Sequence, residues 1–190
     1  MDKELKFAIL CLLGNMAFAL YHLIFGIFAK SLWMLILGIY YLILSIVRFF
    51  VLRTKKNHNV TARFTGIMLI ILSIPLFVST ILSVISDRGY KLHMIIMIAI
   101  AAYAFTKITI ATVNLIKSRH SKSSLSIMLR NISFADALVS IFALQRSMLV
   151  SFEGMTEFEI QIMNAWLGCS VCIIVFLLGM NLITKKTHFK

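Results

Sequence analysis

The sequence predicts an all-α integral membrane protein, a six-helix bundle with both termini in the cytoplasm. Three observations carry that prediction. Of the 190 residues, 61% are hydrophobic and 14% charged, against roughly 45–50% and 25% in a soluble domain. Mean hydropathy is +0.96, which leaves too few polar groups to cover a surface in water. The apolar residues fall in six continuous runs, each near the roughly 20 residues that a helix needs to cross hydrocarbon. Their continuity, without alternation in period two, excludes a membrane β-barrel.

Taken in order, the predicted spans cover residues 7–29, 31–52, 62–86, 92–117, 126–149 and 160–184 of a single domain, 1–190. The first is too long for a cleavable signal peptide, and no small-x-small site follows it. About one residue separates spans 1 and 2, and five separate spans 3 and 4. Such short connections force antiparallel neighbours, so hairpins 1–2 and 3–4 are expected to pack as pairs. Pro75 in span 3 is expected to open one backbone hydrogen bond and kink the helix. The polar tail after residue 184 is too short to fold, and no soluble domain is expected beside the bundle.

Orientation follows from Lys and Arg placement. On one side lie Lys3 and Lys6, then Arg48, Arg53, Lys55, Lys56 and Arg63 around the 2–3 loop. Lys117, Arg119, Lys122 and Arg130 around the 4–5 connection, and Lys185, Lys186 and Lys190, join them. The other side has Lys30, Arg88, Lys91 and Arg146 beside Asp87, Glu153, Glu157 and Glu159. Both ends are therefore expected on the cytoplasmic face of a cell membrane. This asymmetry accounts for the net charge of +12. No basic run is interleaved with base-stacking aromatics, so nucleic acid is not an expected partner.

Ionisable side chains at membrane depth are informative, since each costs about 3 kcal/mol at a helix centre. Three lie deep: His22 in span 1, Lys107 in span 4 and Asp136 in span 5. Lys107 and Asp136 each stand ten residues from the cytoplasmic end of their predicted span, a depth of roughly 15 Å. Two readings of a Lys107–Asp136 pair stand: part of a proton or ion pathway, or a mutual neutralisation that fixes packing. His22 is expected to make an interhelical hydrogen bond, with Asn15, Tyr21, Tyr40 and Tyr41 forming a polar seam between spans 1 and 2. Cys11, Cys169 and Cys172 all lie in apolar runs and read as small buried hydrophobes, without disulfide, metal or redox partners. No catalytic motif occurs. Neither enzyme activity, a cofactor nor a bound metal is expected.

The segment from Asn15 through Gly26 to Ser31-Leu32 resembles the first hairpin of the cation diffusion facilitators, zinc/proton antiporters. Lys107, a basic connector with Ser123, and Asp136-Ala137-Leu138-Val139-Ser140 are similar to that family's later register. The resemblance covers most of spans 1, 2, 4 and 5. It implies six spans, cytoplasmic termini and a homodimer. It also implies four metal-ligand positions, which fall on Tyr40, Leu44, Ile132 and Asp136. Leucine and isoleucine offer zinc nothing, and the family's cytoplasmic C-terminal domain is missing, so the ordinary zinc chemistry is not expected.

Three functions follow as expectations. The first is a transporter on a degenerate facilitator scaffold, moving an unidentified solute or coupling to protons through Asp136, with Lys107, His22, Tyr40 and Asn15 as further candidates. It predicts that Asp136→Asn abolishes transport and leaves folding intact. The second is a non-transporting partner or regulatory subunit, bound to another membrane protein. The third is the capture subunit of an importer, which needs a polar pocket at the outer face, where Asp87, Arg88, His93, Gln145, Arg146 and Asn164 stand. In all three, the bilayer is a partner.

Overall fold

A computed structural model describes residues 3–54, 58–85, 94–117, 124–151 and 154–184. Among these residues the chain is helical: α1 (Lys3–Phe28), α2 (Leu32–Arg53), α3 (His58–Ile85), α4 (Met94–Lys117), α5 (Ser124–Ser151) and α6 (Glu157–Thr184). α1, α2, α3, α5 and α6 are long and apolar enough to cross a membrane, and α4 contributes a shorter apolar stretch, Met97–Val113. α3 runs through Pro75 as one helix.

Two helix ends show how local sequence sets the path. At the turn after α1, Ser31 N donates to Gly26 O at 3.0 Å and Lys30 N to Ile27 O at 3.2 Å. These are the two bonds of a Schellman cap, whose left-handed position is usually glycine. Here Lys30 occupies it, with φ of 49°. α6 starts with a capping box. Thr156 N donates to Glu159 Oε2 at 2.9 Å, and Glu159 N donates back to Thr156 Oγ1 at 3.3 Å. Two otherwise orphaned amides are satisfied in this way.

The core lies among α2, α3, α5 and α6, around Tyr40, Leu44, Leu72, Ile132, Phe142 and Val175, with Ala19 of α1 joining it. Exposed side chains such as Leu20 and Ile24 on α1, Phe105 on α4, and Trp166, Ile173 and Leu177 on α6 form an apolar outer shell. Contiguous apolar surface of this kind suits lipid, not water.

Hairpin α1–α2 packs as expected. The expected α3–α4 pair does not form the main contact of either helix: α3 packs against α6, and α4 against α5. A short connection sets only relative direction, whereas the facing side chains choose the partner. A Cβ on Gly66 would stand 2.7 Å from Gly179 O, and one on Gly179 would stand 2.7 Å from Gly66 O. Gly168 faces the Thr80 side chain just as closely. Small residues let two backbones approach where lipid supplies no hydrophobic drive, and this glycine seam commits α3 to α6. The 3–4 connection and its Asp87, Arg88, Lys91 and His93 lie outside the described residues, as do Lys55, Lys56, Arg119, Lys122, Ser123, Glu153 and the tail lysines.

Candidate functional site

α5 is rich in polar residues, and its Asn131, Asp136, Ser140, Arg146 and Ser147 are all buried. A helix with this pattern avoids lipid, so it sits inside the bundle and turns Asp136 toward its neighbours. Lys107 Nζ donates to Asp136 Oδ1 at 2.7 Å and to Asn15 Oδ1 at 2.8 Å. α4, α5 and α1 are thereby joined at one point. Of the residues that the sequence singled out, Asn15, Lys107 and Asp136 form one cluster.

Arg48 completes it and corrects the charge map. The positive-inside pattern assigns this residue to the cytoplasmic rim. Instead the side chain is buried at 1% exposure, with Nη2 3.6 Å from Asp136 Oδ2 and donating to Ser133 Oγ at 3.1 Å. It stands five residues before the end of α2, about one and a half turns, from where a long side chain can reach either way. The signal that decides the direction is the buried stripe Tyr40, Leu44, Val47, Arg48 and Val51, spaced at three and four residues. Arg48 belongs to the face that packs on α5. Arg146, assigned to the outer rim, is likewise buried, and its guanidinium lies 4.9 Å over the Trp33 ring.

Rings enclose the Lys107 ammonium. Its nitrogen is 4.6 Å from the Tyr103 centroid, 4.9 Å from Tyr41 and 5.6 Å from Phe18. Each ring presents a negative face that offsets part of the charge's desolvation. Phe18 and Tyr103 stack at 4.2 Å. Ser140 Oγ donates to the Asp136 carbonyl at 2.9 Å, so the 3.2 Å contact between Tyr41 and Ser140 is donated by the tyrosine hydroxyl.

On the side of the cluster toward Trp33 and Ser147 lies a cavity of about 20 Å³, bounded by α1, α2, α4 and α5. Phe18, Tyr41 and Tyr103 wall it beside Lys107, and His22, Trp33 and Ser147 line it further on. His22 therefore reaches the site, but its hydrogen bond is not the expected interhelical one. Nδ1 contacts the Phe18 carbonyl of its own helix at 2.9 Å, a donation that leaves Nε2 as an acceptor. Tyr40 is fully buried between α2 and its neighbours and does not line the cavity. Its hydroxyl has no hydrogen-bond partner among the described residues.

The four positions marked by the family resemblance are all buried, Tyr40 and Leu44 on α2 and Ile132 and Asp136 on α5. Both oxygens of the lone carboxylate already face cations, and among the described residues no three of His, Cys, Asp and Glu gather to hold a metal. Cys172 Sγ instead donates to the Ser73 carbonyl at 3.3 Å across the α3–α6 seam. Near the α5–α6 connection, at the positions expected to face outward, Arg146 and Asn164 are buried and Gln145 Nε2 donates to the Met163 carbonyl at 2.9 Å, so these three do not form an open polar pocket. No family model, curated protein or solved structure matches the chain.

Proposed function

We propose that the chain is a transporter-like protein of the cell membrane, with a degenerate facilitator-type scaffold and the Lys107–Asp136 pair as its coupling centre. One observation carries the reading. The single carboxylate at the resembling metal position is held by two cations, Arg48 and Lys107, and the rings packed against Lys107 line a cavity. A divalent cation would have to displace both charges, so the moved solute is not a divalent metal. The chain has six spans and both termini in the cytoplasm; the remaining Lys and Arg asymmetry supports that orientation after Arg48 and Arg146 are removed from opposite sides of the count. A homodimer follows from the resemblance alone.

The test is flux in proteoliposomes under an imposed pH gradient, with and without external zinc. Wild-type protein is expected to dissipate the gradient, independently of zinc, and Lys107→Met to block the movement while remaining folded. Zinc uptake, or undiminished flux in Lys107→Met, would overturn the proposal.

The second reading, a non-transporting partner subunit, is favoured by the same closed ion cluster, because a carboxylate satisfied on both oxygens also serves as a static clamp between helices. Absence of flux together with stable co-purification of another membrane protein would establish it.

A further inference from the structure

The chain carries seven acidic residues: Asp2, Glu4, Asp87, Asp136, Glu153, Glu157 and Glu159. Only Asp136 lies deep within a predicted span, and it faces both Arg48 and Lys107. One carboxylate cannot neutralise two cations, and a surplus charge in a low-dielectric interior is costly. Among the described residues, the Asn15 amide nitrogen adds a buried donor with no hydrogen-bond partner.

The cavity beside this cluster has matching chemistry. Trp33 Nε1 and the Tyr21 hydroxyl are buried, lack hydrogen-bond partners among the described residues and belong to residues lining it. The indole N–H can only donate. Ser140 and Ser147 also line the wall, but their hydroxyls donate to the Asp136 and Ala143 carbonyls, so the donors left for an occupant are Trp33 and Tyr21. Two cations pack against rings that line it: Lys107 against Phe18, Tyr41 and Tyr103, and Arg146 over Trp33. At about 20 Å³ the space suits one water-sized occupant and excludes an organic solute.

We propose that this cavity binds one small monovalent anion of halide size, held by the Trp33 and Tyr21 donors and by the field of Lys107. The inference deepens the transport reading by naming a solute class, and rests on that reading only in taking the bound ion as the moved one.

Binding is measured in detergent micelles, where no flux is needed. Trp33 and Trp166 are the only tryptophans, and Trp166 is on the outer shell at 75% exposure, so Trp166→Phe leaves Trp33 as the sole reporter. Bromide, a heavy-atom quencher, is titrated at ionic strength held constant with gluconate, which is too large for the cavity. Quenching is expected to saturate and to be reversed by chloride, which competes without quenching. Adding Lys107→Met, which leaves the Arg48–Asp136 pair in balance, is expected to weaken the saturable part about tenfold, the loss of one nearby charge. Purely linear quenching, no competition by chloride, or unchanged affinity in Lys107→Met would overturn the proposal and leave water as the occupant. Saturable binding without flux would instead retire the transport reading alone.

Discussion

Arg48 Nη2 lies 3.6 Å from Asp136 Oδ2, on the opposite side of the carboxylate from Lys107 Nζ. The carboxylate is thus shared between α2 and α4, and the three charges are interdependent. Removing different members leaves very different residual charge. That asymmetry gives the sharpest expectations about stability.

Asp136→Asn leaves two buried cations facing each other without a counter-charge. It is expected to cost about 3–5 kcal/mol, the range for an ion left uncompensated in a protein interior. Lys107→Met and Arg48→Met each leave one balanced pair and are expected to cost less. Adding Lys107→Met to Asp136→Asn should therefore restore part of the lost stability. Thermal unfolding of the four variants in one detergent checks the order; an Asp136→Asn protein as stable as wild type would show that the cluster is not coupled. The expectation from sequence that Asp136→Asn spares folding is revised on this ground, and for that reason Lys107→Met is the better functional probe.

The α3–α6 seam predicts a contrast between two glycines. A Cβ on Gly66 meets the Gly179 carbonyl at 2.7 Å, which only backbone movement can relieve. A Cβ on Gly14 meets the Tyr103 hydroxyl at 3.2 Å, the movable end of a side chain. Gly66→Ala is expected to destabilise by about 1–3 kcal/mol, as overpacking does. Gly14→Ala should be close to neutral. Equal melting temperatures for both variants would contradict the seam.

The cap after α1 predicts a stabilising change. Lys30 holds a left-handed backbone, which costs a residue with a Cβ about 1 kcal/mol. Lys30→Gly should recover most of this at the cap position where glycine is favoured. At the start of α6, Thr156→Ala removes the side-chain half of the capping box and should cost about 1 kcal/mol. Both are read as shifts of the unfolding midpoint, in opposite directions.

Orientation predicts a labelling pattern. In a background with Cys11, Cys169 and Cys172 replaced by alanine, cysteine at Lys30 should react with an impermeant maleimide added outside intact cells. Cysteine at Thr54, after α2, should react only once the cells are opened. The reverse pattern would place the termini outside.

Length and composition alone determined that the chain is helical and suited to lipid, because a run of apolar residues can satisfy its backbone in hydrocarbon only as a helix. The sequence also marked Asn15, Lys107 and Asp136, since charge at helix depth needs a partner whatever the fold. Tertiary structure decided the rest. The direction of the Arg48 side chain depends on which face of α2 meets α5, and the choice of α6 as the partner of α3 depends on glycines more than a hundred residues apart. His22 bonded within its own helix, since the Phe18 carbonyl lies one turn away, while the cavity that it lines needs four helices to close. Local sequence fixes what each helix must bury; only the assembled bundle fixes what it is buried against.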